Sequence, residues 1–305
     1  MNLLELPHAF QMLATGAVGL MVGSFLNVAI HRLPLEDESV SRPRRSRCPK
    51  CRRTLTWREN VPVFSWLWQR GRCRSCGWRI PVRYPLVELL TAGLWVLAAW
   101  LTPWEQGDLL AVHLLVVSGL LVATFVDFDC YEIPDEVSIG GMVLAPVLSF
   151  LVPALHEHTW LAQELSEGGD LTRRGAVTGC LAGMAVGGGV LIAAGQLGKL
   201  VFRKDAMGWG DVKLLAAGGG FVGPGGALLA LMAASVLGSV VGLWGVLRYS
   251  ALSLARARRR RGALLPLRAL RVGRRVGEYV PFGPYLGMGI GIALFAWNDV
   301  VRLFT

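Results

Sequence analysis

Two short acidic stretches hold the residue types best suited to chemistry. In "GWGDVK" (Gly208 to Lys213), Asp211 stands behind two glycines and ahead of a long apolar run. In "DFDCYEIPDE" (Asp127 to Glu136), Asp127 directly follows the apolar run that ends "LLVATFV". Ionisable groups at membrane depth are costly and usually functional. Two carboxylates that approach closely cannot both ionise easily, so one proton is held between them. The ionised member can then take a proton from water while the protonated member hydrogen-bonds the carbonyl under attack. That is general acid–base hydrolysis of a peptide bond without a covalent intermediate. Gly208 and Gly210 allow a substrate backbone to approach. Asp135 and Lys213 flank the acids and are candidates for positioning substrate.

The plainer role of such an acid is a helix cap. Asp211 and Asp135 each precede an apolar helix and could act as N-caps; Asp135, after Pro134, is read that way. Asp211 near a helix N-terminus sits where its charge is favoured, whereas Asp127 ends a helix, where the dipole disfavours a carboxylate. The placement of Asp127 therefore calls for a partner acid. Asp129 and Glu132 read as solvated or supporting residues.

A second constellation is "CPKC" (Cys48 to Cys51) and "CRSC" (Cys73 to Cys76), with 21 residues between the pairs. Two such knuckles make a tetrahedral four-thiolate zinc site, closed and therefore structural. The loop is assigned to the reducing side of a membrane, which argues against disulfides. Cys130 and Cys180 lack partners, and the five histidines form no metal-ligand spacing.

The elements that must position these groups are membrane helices. The 305-residue chain is 53% hydrophobic and 17% charged, too apolar for a soluble domain. The expected fold is an all-α polytopic membrane protein of about eight transmembrane helices with a small zinc-binding cytoplasmic loop domain. The spans fall near 10–30, 85–102, 109–126, 137–154, 175–198, 212–223, 227–247 and 280–297. The sixth is short and ends at the turn signal "GPGG" (Gly223 to Gly226). The domains expected are a first helix at 1–30, a zinc-binding loop domain at 31–84, and a membrane domain at 85–305 with a basic loop at 248–279. No cleavable leader is expected, because the first apolar run follows acidic Glu5.

The net charge is +10. Fourteen of the 31 Lys and Arg lie between His31 and Tyr84, and ten more between Arg248 and Glu278. Basic residues concentrated in loops beside spans mark the cytoplasmic side, so the charge reports topology and not nucleic-acid binding. With the N-terminus outside, Asp127 and Asp211 fall at the same inner face. "RARRRR" (Arg256 to Arg261) could touch anionic lipid. Polar groups inside spans include Asn27 in "GSFLNV" and Glu88 in "RYPLVELLT", the latter in an internal polar site or paired with Arg83. "PFGPY" (Pro281 to Tyr285) enters the last span.

Taken in order, "GSFLNV", the two CxxC pairs, "RYPLVELLT", "DFDCYEIPD", "GWGDVKLLA" and "PFGPYL" resemble the prepilin peptidases, or type IV leader peptidases. The resemblance runs along most of the chain. It implies a bacterial inner-membrane aspartic endopeptidase, its active site facing the cytoplasm, that cleaves the basic leader of prepilins and pseudopilins. It also implies N-methylation of the new terminus with S-adenosylmethionine. By motif match Asp127 and Asp211 are the catalytic pair, and Cys48, Cys51, Cys73 and Cys76 hold Zn2+. Gly23, Asn27 and Glu88 are candidates for the methyl-donor site. The loops at 155–172 and 248–278 are longer than in the compact family form. An acidic surface from Asp129, Glu132, Asp135 and Glu136 suits a basic leader.

Two other classes fit parts of the pattern. A transporter with a carboxylate proton relay predicts acids spread through membrane depth and an internal repeat; here the acids cluster at one face, and no repeat is evident. A non-enzymatic zinc-knuckle scaffold of a secretion system predicts binding that is indifferent to the two acids.

Overall fold

Membrane-length apolar segments fold as helices because each helix satisfies its own backbone polar groups. The computed structural model describes residues 8–35, 40–41, 45–157, 159–164, 172–203, 207–259 and 281–302. Within them, α1 is His8–Arg32, α2 Phe64–Trp68, α3 Arg83–Leu101, α4 Gly107–Cys130, α5 Asp135–Leu151, α6 Trp160–Glu164, α7 Arg173–Phe202, α8 Trp209–Arg259 and α9 Gly283–Arg302. Five of these helices are long and apolar enough to cross a membrane, namely α1, α3, α4, most of α7 and most of α8. α5 and the apolar part of α9 are shorter. Residues 260–280, most of the expected basic loop, and 165–171 of the outer loop lie outside the described residues. The described part of that outer loop contains a 3-10 turn at Pro153–His156 and α6.

Of the eight expected spans, 212–223 and 227–247 are the two arms of α8, and 137–154 and 280–297 correspond to the shorter α5 and α9. Gly223, followed by Pro224, adopts φ 72°, ψ 178° and interrupts the helix. On the first arm, Gly218 faces Ile290 of α9; on the second, Gly225 faces Trp297, Gly289 of α9 faces Ala230, and Gly238 faces Tyr285. The first arm thus runs with α9 and the second runs against it, so the chain doubles back at Gly223. The "GPGG" turn signal thus marks the bend between the two arms. Thr159 closes over the bend: a Cβ on Gly223 would lie 2.7 Å from its Oγ1. Buried His156 ties the same corner to α5 through a 3.0 Å hydrogen bond between Nε2 and Ser149 Oγ.

Two packed groups result. α1 and α3 pair as antiparallel neighbours, with Gly19 set against the Ala92 backbone and Gly23 against that of Glu88. α4, α5, α7, both arms of α8 and α9 form the larger group, whose core includes Leu191, Leu215, Leu286 and Ile290. Small residues govern its tightest contact, as is usual where helix backbones meet in membranes. At Gly183 and Gly219 the backbones of α7 and α8 touch, leaving no room for a Cβ on either side.

That contact gives a stability prediction. Gly219→Ala forces a methyl into the Gly183 carbonyl and should cost about 1–3 kcal/mol, read as a lowered unfolding temperature in detergent. Gly189→Ala, with nothing within 4 Å of the new methyl, should leave that temperature unchanged or raise it.

Candidate active site and metal-binding loop

α4 ends one turn beyond Asp127: Tyr131 takes the left-handed conformation (φ 58°) and its N–H donates to the Asp127 carbonyl at 2.9 Å. The Asp127 side chain is buried, and its Oδ2 has no hydrogen-bond partner among the described residues. The N-terminus of α9 faces it. The Gly283 backbone N–H interacts with the carboxylate, and a Cβ at Gly283 would sit 2.6 Å from Oδ2. The positive end of α9 thus answers the unfavourable dipole of α4, a partner that the sequence reading did not foresee.

Asp211 is the third residue of α8, inside its first turn, so it is not the N-cap that the plainer reading allowed. It is half-buried, and it interacts electrostatically with Asp127. Ile133, in the link between α4 and α5, packs beside both acids. It lies 3.3 Å from a Cβ placed on Gly210 and 3.1 Å from one placed on Gly283. The site therefore gathers α4, the α4–α5 link, and the first turns of α8 and α9. One buried carboxylate and one partly open carboxylate share an apolar floor, an arrangement able to hold and transfer a proton beside a peptide carbonyl.

The flanking charges are paired. Asp135 is the first residue of α5, with Pro134 in the cap position, so Asp135 is not the N-cap expected. It forms an ion pair with Lys213 that ties α5 to α8. Arg83 pairs with Asp129, joining the start of α3 to the end of α4, and not with Glu88. Of the four acids expected to face a basic leader, Glu132 and Glu136 remain exposed and form no ion pair among the described residues. Gly208 is exposed beside Asp211.

The four loop cysteines converge, with all their sulfurs within 4.8 Å of one another and Cys48 Sγ 3.8 Å from Cys76 Sγ. A tetrahedron of ~2.3 Å metal–sulfur bonds has edges of ~3.8 Å, so the quartet fits a metal ion. The two knuckles repeat one backbone pattern. Cys48 N–H donates to the Arg53 carbonyl and Cys73 N–H to the Trp78 carbonyl, both at 2.9 Å. Arg52 and Gly77, each following a second cysteine, have φ 54° and 67°. Bridges Arg47–Thr54 and Arg72–Arg79 close them. The backbone N–H groups of Cys76 and Ser75 pull the Cys73 thiol down to about 6. Against the pull of the Trp78 N–H, desolvation and neighbouring sulfurs push Cys76 up to about 11. Glu59, missed in the sequence although "TWRE" is a capping-box pattern, locks the loop. It accepts from the Thr56 N–H and hydroxyl at 2.9 Å each and pairs with Arg53. The Thr56 N–H, first among its partners, holds the Glu59 carboxyl below its usual range.

Between this loop, the C-terminal end of α1 and the N-terminal end of α3 lies a cavity of about 460 Å³. Asn27 and Glu88 line it, together with Trp66, Trp78 and Tyr84; Cys48 and Cys73 form part of its wall. Gly23 is not among its lining residues. Gly23 makes the close contact with the Glu88 backbone on α3. The cavity could not be read from the sequence because loop and helices meet only in the fold.

The helices, the paired carboxylates and the four-thiolate loop define a polytopic α-helical membrane protein with a di-carboxylate site. A model of the bacterial peptidase A24 N-terminal domain matches residues 17–102, and one of the type IV leader peptidase family matches 114–243. The chain belongs to the type IV leader peptidase family. It is 34% identical to a prepilin leader peptidase/N-methyltransferase of Aeromonas hydrophila, covering 98% of this chain and 96% of that protein. Proteins with the same description from Pectobacterium carotovorum (36% identical, 77% of this chain and 84% of that protein) and Neisseria gonorrhoeae (31%, 80% and 85%) are also similar. No solved structure matches the chain.

The loop geometry yields a prediction. Cys51→Ser should lower bound metal, measured by atomic emission on purified protein. It should also open residues 45–82 to limited proteolysis, while α4, α7 and α8 stay resistant.

Proposed function

We propose that the protein is a bacterial inner-membrane aspartic endopeptidase that removes the leader of prepilins or pseudopilins and then N-methylates the new terminus. The observation that carries the peptidase half is the meeting of Asp127 and Asp211, 84 positions apart in sequence, at one end of the helix group. In this reading Asp211, the more open acid, takes a proton from water, and Asp127 donates a hydrogen bond to the scissile carbonyl. The water then attacks, and the proton is returned to the leaving amine. Gly208 and Gly210 leave room for an extended substrate backbone beside the acids. Lys213 and Asp135 hold α5 against α8 and so help to position substrate at the acids. The loop charge asymmetry supports an active site on the cytoplasmic side. Exposed Glu132 and Glu136 suit a basic leader there.

The metal assigned to the four cysteines is Zn2+, in a structural role. When bound, it fixes the wall of the cavity through Cys48 and Cys73. We assign that cavity to the methyl donor, S-adenosylmethionine, which supplies the transferable methyl group. Its volume lies within the ordinary range of ~300–1,000 Å³ for small-molecule sites. Trp66, Trp78 and Tyr84 offer aromatic surface to the nucleoside, and Asn27 and Glu88 offer polar contacts.

Asp127→Asn and Asp211→Asn should each abolish leader removal from a co-expressed prepilin, seen by mass spectrometry as retention of the full leader mass. The protein should still insert in the membrane at wild-type level. Wild-type cleavage by both variants would refute the assignment. Chelation of the metal should suppress the added methyl mass before it slows cleavage, because the thiolates border the cavity and not the acids.

A further inference from the structure

Asn27, which lines the cavity, carries a buried hydrogen-bond acceptor without a donor among the described residues. Asn27 is 3% exposed. Its amide orientation is fixed by two carbonyls: Nδ2 donates to the Tyr84 carbonyl at 3.0 Å and to the Gly23 carbonyl at 3.3 Å. Oδ1 therefore has to accept, and no described group donates to it. Leaving such a group dry costs roughly 1–3 kcal/mol. Beside it, Glu88 is 8% exposed and lines the same cavity. Its Oε2 accepts the Val63 N–H at 2.7 Å, and the Ser24 hydroxyl also bonds to the carboxylate. No Lys or Arg is paired with it among the described residues.

Val63 adds a third observation. Its φ of 59° and ψ of −51°, with a 2.5 Å bond from the Phe64 N–H to the Pro62 carbonyl, form a strained γ-turn at a β-branched residue. The turn presents the Val63 N–H to Glu88, which holds the carboxylate in place. Strain of this kind persists where surrounding structure over-determines it, often at ligand sites.

We propose that Asn27 Oδ1 and Glu88 form a receptor for a primary ammonium group. Three N–H donors on one positive nitrogen serve an orphan amide oxygen and a buried carboxylate that has no direct ion pair among the described residues, although Arg32, Arg47 and Arg52 also line the cavity; neither a neutral hydroxyl nor an anion serves both. The inference rests on the methyl-transfer reading of the cavity and deepens it. Two ammonium groups are at hand in that reaction: the α-amino group of the methyl donor and the new amino terminus of the cleaved peptide.

The test is calorimetric titration of full-length, metal-loaded protein in lipid nanodiscs. The probes are S-adenosylmethionine, its desamino analogue, which keeps the nucleoside, sulfonium and carboxylate but lacks the ammonium, and a short apolar peptide with a free or an acetylated amino terminus. Glu88→Gln keeps an acceptor for Val63; its integrity is checked by metal content and leader cleavage. If the donor supplies the ammonium, the variant weakens S-adenosylmethionine about tenfold and leaves the desamino analogue within twofold. If the peptide supplies it, the variant weakens the free-amine peptide alone. In either case wild-type protein discriminates the matched pair of probes, a comparison that needs no variant. Equal binding of both pairs by wild-type protein overturns the proposal, as does binding of every probe to Glu88→Gln within twofold. If S-adenosylmethionine still binds and the terminus is still methylated in that event, the methyl-transfer reading stands and only the receptor falls. Failure of wild-type protein to bind any probe overturns both.

Discussion

A carboxylate buried at the C-terminal end of a helix is doubly misplaced: it loses its water and faces the negative end of a dipole. The structure around Asp127 is organised to offset that. α9 starts at Gly283, directly against the carboxylate, and turns its own positive end toward it. A glycine allows that approach, since a Cβ there would lie 2.6 Å from Oδ2 and force the carboxylate to move. Asp211, in the first turn of α8, has the favourable helix end of its own. Two helix N-termini therefore converge on a pair of acids, and the remaining packing serves to bring them together.

The hairpin in α8 is part of that service. Because the chain reverses at Gly223, the first arm lies beside both α7 and α9, and Asp211 comes level with Gly283. The bare backbone contact of Gly183 with Gly219 sets the α7–α8 spacing. The ion pairs are more local. Lys213 with Asp135, and Arg83 with Asp129, are partly exposed pairs of the kind worth little in stability. Their effect is to fix where helices begin and end around the acids.

Much of this was legible in the sequence wherever residue type and spacing alone dictate chemistry. Two CxxC pairs can do little else than gather four thiolates, and Asp127 and Asp211 stood out because apolar runs leave so few places for an acid. Helix boundaries were less legible. Asp135 looked like a cap, but Pro134 occupies that position and the aspartate turns to Lys213. Gly23 was ambiguous, since a glycine on a helix face reads the same whether it borders a cavity or another backbone. The cavity itself was illegible, since Asn27, Val63, Trp78 and Glu88 are neighbours only after the loop folds onto α1 and α3. The α9 N-terminus facing Asp127 was hidden for the same reason: "PFGPY" marks a helix start without saying what lies in front of it.

The two knuckles share a backbone path but not its cost. At the left-handed position one has Gly77, which adopts that conformation freely, and the other has Arg52, for which it is unfavourable by roughly 1–2 kcal/mol. Their shapes are therefore unequally self-sustaining. The Cys73–Cys76 turn holds its shape at no conformational cost, whereas the Cys48–Cys51 turn holds a conformation that arginine rarely takes. That difference between an arginine and a glycine makes the first knuckle the costlier of the two to form.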